Sequence, residues 1–293
     1  MLKVNAMKRY FTLSLMFLCL TGLFFACDKI DGDYTVIPSN AQSDVSFPEV
    51  NPGEVYRKML IEEFTGHRCT NCPMGHQILE TLHSRYGDTL VAVGIHYGAL
   101  AKPVGSTFNY DFRTEKGTRL GDYYVIDAIP SAIVNRNYKE GGWSRELWGN
   151  QLAEVDRSQV YAALQLINQY DASKKTLKTN AKVTMLKDYP NPLSLVVYLL
   201  EDGIVKPQKD GNQDIEDYVH NHVLRKTVTD DILSGYKLNM ANAMNAGDSD
   251  TFAASVGFSD TDWVPENCYV VAFVLDATTQ EVLQVETLNV VGQ

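Results

Sequence analysis

The sequence predicts two folded domains, an α/β domain followed by an all-β domain. The chain has 293 residues, a length that suits two domains of average size. Its first half alternates short apolar runs with helical periodicity, and after about Gln159 the apolar residues follow the alternating period of strands. The content of 45% hydrophobic and 21% charged residues is that of a globular protein.

Residues 1–26 are predicted to be an export signal. Residues 11–26 carry no charge and lead directly to Cys27, and three basic residues precede them: Lys3, Lys8 and Arg9. This arrangement is typical of a secretory signal peptide and is too short for a comfortable membrane span. The residues before Cys27 resemble a lipobox, which implies that Cys27 is acylated and anchors the chain to a membrane. The alternative is an uncleaved anchor helix. Either way the rest of the chain lies outside the cytoplasm.

Residues 27–52 are predicted to be a flexible tether, because they are rich in Asp, Ser, Asn and Pro and poor in large apolar side chains. The formal charge of the whole chain is −10, and no run of Lys and Arg appears in its body. A nucleic-acid partner needs a basic face, so this class of partner is excluded.

A CxxC pair, Cys69 and Cys72, stands between a predicted strand over residues 56–64 and a helix that begins at Pro73 and ends at Gly87. A helix N-terminus stabilises a thiolate, and Arg68 would lower the pKa of the first thiol further. The two-residue spacing lets the second thiol attack the mixed disulfide formed by the first. The sequence therefore predicts Cys69 as the nucleophile and Cys72 as the resolving thiol.

Other roles are open to the same segment. Zinc could use His67, Cys69, Cys72 and His76, but structural zinc sites usually add a second ligand pair far along the chain. Covalent haem would need a histidine after Cys72, where Pro73 stands. We therefore expect no metal and no cofactor. A purely structural disulfide without turnover is the more serious alternative.

The segment from Leu60 to the CxxC pair resembles the thioredoxin family. The resemblance implies that Glu63 is a buried carboxylate that moves protons for Cys72. Arg68 replaces the tryptophan usual in that family, and Thr70-Asn71 replaces Gly-Pro. These departures leave the direction of electron flow open.

A second match to that family is Ile129-Pro130, which precedes an apolar strand over residues 131–134. It implies a cis-proline whose loop faces the CxxC pair and leaves the Ile129 backbone to pair with a peptide substrate. A trans proline that opens an edge strand is the alternative. With a strand over residues 89–97, a helical stretch over 108–120 and a closing helix over 143–155, we expect a thioredoxin-like domain at residues 53–157.

The second half, residues 158–293, is predicted to be an immunoglobulin-like β-sandwich. Turn signals separate seven candidate strands over about 130 residues, as in such sandwiches. The strands are expected at Tyr161–Asn168, Thr179–Leu186, Leu193–Glu201, His220–Thr229, Phe252–Phe258, Tyr269–Asp276 and Glu281–Val291. His220 and His222 would point to one side of a strand, as metal ligands do, although two such histidines are more often surface residues. Cys268 is expected to be a buried, inert thiol.

The whole arrangement resembles an outer-membrane lipoprotein family of Bacteroides-type bacteria, with a thioredoxin-like domain followed by a β-sandwich. The residues that carry this resemblance are the lipobox, Phe64-Thr65-Gly66, the Cys-x-Asn-Cys-Pro segment, Ile129-Pro130 and the run from His220 to Arg225. It implies an outer-membrane lipoprotein of the cell envelope that faces the periplasm or the surface.

Two functions follow as hypotheses. The first is thiol–disulfide exchange on envelope proteins or peptides, in which Cys69 attacks, Cys72 resolves, Glu63 moves the proton and the Pro130 loop holds the substrate. The second is a non-catalytic lipoprotein in which a thioredoxin-like fold serves for binding or structure.

Overall fold

The computed structural model describes residues 45–238 and 244–292. The predicted signal peptide, Cys27 and residues 28–44 of the predicted tether lie outside these ranges. Among the described residues, no helix has the length and apolar character needed to cross a membrane. The same residues form three α-helices, α1 (Cys72–Tyr86), α2 (Glu115–Tyr123) and α3 (Trp148–Glu154), and sixteen β-strands.

The strands, in chain order, are β1 (Met59–Thr65), β2 (Leu90–His96), β3 (Ser131–Val134), β4 (Trp143–Ser144), β5 (Ala162–Asp171), β6 (Thr176–Met185), β7 (Leu193–Glu201), β8 (Ile204–Val205), β9 (Gln208–Asp210), β10 (Gln213–Ile215), β11 (Val219–His220), β12 (Val223–Thr227), β13 (Tyr236–Lys237), β14 (Ser249–Gly257), β15 (Cys268–Asp276) and β16 (Val282–Asn289).

One mixed sheet of nine strands runs through the molecule in the order β16-β15-β7-β12-β2-β1-β3-β4, with β13 also paired to β7. Strands β1 and β2 are parallel, whereas β3 is antiparallel to β1. Strand β12 joins β2 in parallel, with Val223 opposite Gly94. At this junction the Gly94 N–H donates a 2.7 Å hydrogen bond to the His222 carbonyl. A second sheet has the order β14-β6-β5, and β8 with β11 and β9 with β10 form two short ribbons.

Helix α1 forms as its sequence predicts. Pro73 lies in the first turn, where its missing N–H would have no helical partner. Leu79 and Leu82 are buried on one face, and Gly87 ends the helix at a φ of 55°, a conformation that glycine adopts readily. The helix packs on the same core as Trp148 of α3.

Strand β7 shows how the central sheet is covered on both sides. Leu195, Val197 and Leu199 belong to a core shared with the β14-β6-β5 sheet. Val196, Tyr198 and Leu200 point to the opposite face, into a second core that also contains Leu60, Val93 and Ile133 from the first half of the chain. Residues from both halves of the chain therefore pack together in this second core.

The predicted fold class, an α/β thioredoxin-like domain followed by an all-β immunoglobulin-like sandwich, is wrong. The described residues are mostly β-structure, and the helices are short. Strands from both halves pair into one sheet, because β7 and β15 are apolar on both faces and need cover on both. A sandwich strand would have one solvated face. The predicted boundary between residues 157 and 158 stays a prediction, and the nine-stranded sheet runs across it without a break.

Individual elements agree better than their assembly. The first-half strands fall at β1, β2 and β3 as predicted, and six of the seven second-half strands lie close to their predicted ranges. The exception is the range His220–Thr229, which is split between β11 and β12. The helix predicted over residues 108–120 begins only at Glu115, where the Thr114 hydroxyl accepts a 2.9 Å hydrogen bond from the Gly117 N–H. The closing helix begins at Trp148 rather than near residue 143.

Candidate functional site

Cys69 and Cys72 form a disulfide at the N-terminus of α1, with 5.4 Å between their Cα atoms. Cys72 is the first residue of the helix, and Cys69 lies in the turn after β1, where its N–H donates a 2.9 Å hydrogen bond to the Gly66 carbonyl. Cys69 therefore lies in the turn after strand β1, and Cys72 lies in the first turn of helix α1. Both are buried, with Cys69 2% and Cys72 0% exposed.

The Ile129–Pro130 peptide bond is cis, as predicted. The Cys69 Sγ atom lies 3.6 Å from the Ile129 carbonyl oxygen, so the proline loop directly faces the disulfide. Strand β3 follows at Ser131 and pairs with β1 next to Phe64, which fixes the loop beside the turn that carries Cys69.

Glu63 is buried on β1 beneath the first turn of α1. A Cβ atom placed on Gly75 would come within 2.9 Å of Glu63 Oε1 and 3.1 Å of the Pro130 Cβ. Gly75 follows Cys72 by three residues and shares its helix face, so the carboxyl lies under the face that carries Cys72. Oε1 of Glu63 is buried without a hydrogen-bond partner among the described residues. Burial raises the pKa of Glu63 well above its usual value.

A histidine-rich cavity opens beside Glu63, and the sequence did not predict it. Its lining includes Glu63, Thr65, His76, His96, Tyr218, His220 and His222. The histidines come from α1, from β2 and from the segment around β11. The expectation that His220 is a surface residue is wrong, because its side chain is buried in this cluster.

His76 is the cavity residue nearest to the buried carboxyl. Its Nε2 lies 3.7 Å from Glu63 Oε1 and 3.0 Å from the Thr65 hydroxyl, and its Nδ1 lies 2.6 Å from the Tyr218 hydroxyl. Burial, and after it the neighbouring charge of His222, lowers the pKa of His76 to about 4. Burial likewise lowers the pKa of His220 to about 3, with His76 as the next cause.

A ribbon from the second half of the chain covers the CxxC turn. Gln208, at the start of β9, donates from its side-chain amide to the Cys69 carbonyl at 3.0 Å and to the Gly66 carbonyl at 3.3 Å. The backbone N–H of Lys209 donates to the His67 carbonyl at 2.8 Å, and that of Gly211 to the Thr70 carbonyl at 3.0 Å. This cover contributes to the low exposure of the disulfide.

The possible zinc ligands do not converge on a metal position. His76 faces Glu63 and Tyr218, while Cys69 and Cys72 are bonded to each other. In the described ranges 45–238 and 244–292, no three His, Cys, Asp or Glu side chains form a group that could hold a metal ion. Cys268 is a free, buried thiol, and burial raises its pKa.

The fold and the site define a class: a protein with a CxxC disulfide held between a cis-proline loop and a buried carboxyl. The model of the Omp28 outer membrane protein family matches residues 118–293, which is more than half of the sequence. The chain therefore belongs to the Omp28 family. This confirms the predicted localisation, an outer-membrane lipoprotein of the cell envelope. Acylation at Cys27 falls outside the described residues and stays a prediction.

Among solved structures, one similar to this chain over most of its length supports the fold. The chain is similar to HBP35 of Porphyromonas gingivalis, with 18% identity, a TM-score of 0.62, and coverage of 80% of this chain and 75% of that one. A domain of the outer membrane lipoprotein Omp28 from the same organism shares 22% identity and covers 45% of this chain and 88% of its own length, at a TM-score of 0.31. None of the curated proteins compared matches this sequence.

Proposed function

We propose that this lipoprotein carries out thiol–disulfide exchange on envelope proteins or peptides through Cys69 and Cys72. The observation that carries the proposal is the convergence of three features at one helix N-terminus: the disulfide, the cis-proline loop 3.6 Å from Cys69, and the buried Glu63 carboxyl, whose Oε1 accepts no hydrogen bond from the described residues. Cys69 is the nucleophile, Cys72 the resolving thiol and Glu63 the proton carrier. Ile129 and Pro130 would bind the substrate backbone, and Cys27 would anchor the chain to the membrane.

Energetic considerations favour a chemical role over a purely structural one. The disulfide links residues only three apart in sequence. Closing so short a loop restricts the unfolded chain little, by about 2 kcal/mol in the chain-entropy treatment, against about 4.7 kcal/mol for a loop of 100 residues. A buried carboxyl oxygen that accepts no hydrogen bond costs stability as well. Perturbed buried carboxyls of this kind are concentrated at functional sites.

The second candidate is a non-catalytic lipoprotein that uses this frame for binding or structure. Burial of both sulfurs beneath the β9–β10 ribbon favours it, because exchange requires a substrate thiolate to reach Cys69. Family membership is compatible with this candidate and carries no evidence of redox activity. The two candidates differ in one measurable respect, which is turnover.

The test uses the full-length lipoprotein in detergent and follows insulin reduction by dithiothreitol together with exchange with glutathione disulfide. We expect acceleration over the uncatalysed rate, complete loss in Cys69→Ser, and an accumulated mixed disulfide in Cys72→Ser. Cys268→Ala is the matched control, since it removes a buried thiol outside the site, and it should retain the rate. A wild-type rate equal to that of dithiothreitol alone would establish the non-catalytic candidate.

A further inference from the structure

His76 connects the buried end of the site to its accessible end. Its side chain is 22% exposed, whereas that of Glu63 is 2% exposed. One ring nitrogen faces the Glu63 carboxyl at 3.7 Å, and the other contacts the Tyr218 hydroxyl at 2.6 Å. The imidazole therefore stands beside a carboxyl that solvent does not reach, and part of the ring itself is exposed to solvent.

The proposed exchange requires Glu63 to gain or lose one proton in each cycle. We propose that His76 is a positioning residue that passes this proton between Glu63 and solvent, an inference that rests on the proposed function. A neutral imidazole can accept a proton at one ring nitrogen while it releases one at the other. Glutamine at this position would keep hydrogen-bonding groups but could not carry a proton in this way.

The step balances when a substrate dithiol is oxidised. A substrate thiolate attacks the Cys69 sulfur, the Cys69–Cys72 bond breaks, and Cys72 leaves as a thiolate that takes the proton of the Glu63 carboxyl. The second substrate thiolate then attacks the substrate sulfur of the mixed disulfide and releases Cys69 as a thiolate. Two electrons pass from the dithiol to the cysteine pair. Glu63 regains its proton from solvent through His76, and exchange in the other direction uses the same path reversed.

The cavity beside His76 has room for the waters that a proton path needs. It offers about 50 Å³ of space to water. A single water needs roughly 10–15 Å³ by this kind of measure, so a few waters fit. The other titratable groups that line the cavity with His76 are Glu63 on β1, His96 on β2, Glu80 on α1, and Tyr218, His220 and His222 around β11.

The first test follows the proton on Glu63 directly and does not depend on turnover. The full-length protein is moved into deuterated buffer, and infrared spectroscopy follows the shift of the protonated Glu63 carboxyl band, which is assigned by its loss in Glu63→Gln. We expect His76→Gln to slow deuteration at least ~100-fold, the lower end of effects of proton-transfer groups. Added imidazole should restore the rate in His76→Ala, which a merely structural role would not allow.

His83→Gln is the matched control, because His83 lies on the exposed side of the same helix. It should leave the deuteration rate unchanged. An equal rate in His76→Gln and wild type overturns the proposal. A slowed rate supports it even if wild type shows no exchange activity, in which case only the proposed function fails.

The second test uses the exchange assay between pH 5 and pH 9. We expect His76→Gln to lower the rate ~100-fold or more and to alter the pH profile, with partial recovery of His76→Ala by imidazole. If His76→Gln keeps the wild-type rate and profile while Cys69→Ser is inactive, the exchange function stands and the role of His76 is refuted.

Discussion

Replacing Arg136 by methionine should lower the free energy of unfolding by about 3–5 kcal/mol, the usual cost of breaking a buried ion pair from one side. Arg136 and Glu62 are both fully buried and form a salt bridge at 3.0 Å. Arg136 also donates to the Ile232 carbonyl at 2.7 Å, and Glu62 accepts a 2.9 Å hydrogen bond from the Tyr198 hydroxyl. The network therefore joins β1 and the turn after β3 to β7.

The expected loss of stability comes from the charge that Arg136→Met leaves behind. In this variant the Glu62 carboxylate stays buried without a cation, and its remaining partner in the network is the Tyr198 hydroxyl. Adding Glu62→Gln removes the unpaired charge and still leaves Tyr198 an acceptor, so the double variant should recover most of the lost stability. Lys174→Met is the control: its salt bridge with Asp171 is 78% exposed on the lysine side. Exposed pairs contribute about 0–1 kcal/mol.

Urea unfolding at pH 7, followed by circular dichroism and by tryptophan fluorescence, measures these differences. Because the network and the shared core span both halves of the chain, we expect one cooperative transition with coincident curves in wild type. An Arg136→Met loss within 1 kcal/mol of the Lys174→Met loss would refute the argument. So would two separate transitions in wild type, because the halves would then be independent.

Two further predictions concern the cover and the buried histidines. Gln208→Ala removes the side-chain bonds that hold the β9–β10 ribbon to the CxxC turn; at about 1 kcal/mol each, their loss should speed reduction of the disulfide by dithiothreitol roughly 5- to 30-fold. Thiol labelling measures this, the exposed Gln213→Ala is the control, and an unchanged rate would contradict a covering role. His220 has a folded pKa of about 3, below the unfolded value of about 6.5. Below pH 6.5 the unfolded chain therefore binds a proton at His220 that the folded protein does not, so the stabilising contribution of His220 is fully present only above pH 6.5. This contribution falls by up to about 1.4 kcal/mol per pH unit on acidification. His220→Phe should flatten the pH dependence of unfolding between pH 6 and pH 4, and identical slopes would exclude this contribution.

Local patterns were sufficient for individual elements but not for their assembly. The nine-residue run from Leu193 to Glu201 was correctly predicted as a strand. Its unbroken apolar character indicates burial on both faces, which a sandwich strand with one solvated face does not require. The parallel pairing of β12 with β2 at Val223 and Gly94 joins residues more than a hundred positions apart. No periodicity within either strand specifies such a partner.

The same contrast between local patterns and long-range pairing applies to the candidate site. Cys69, Cys72, Glu63 and Pro130 lie in short segments whose order along the chain is informative, and the structure brings them together. Gln208, Tyr218 and His220 reach the site from the second half, through pairings that no local pattern specifies. The closely spaced histidines around β11 were the available signal, and the prediction of a surface strand concealed it.

The extent of the family match bears on how function should be assigned. The match begins at residue 118 and therefore includes Pro130, the covering ribbon and the segment around β11, but not Cys69, Cys72 or Glu63. Membership thus describes the frame and its location in the outer membrane. The proposed reactive groups lie on β1, on α1 and in the turn between them, outside the matched residues. Chemistry must therefore be argued from this chain's own disulfide and carboxyl, and the exchange rate of Cys69→Ser against Cys268→Ala is the measurement that decides it.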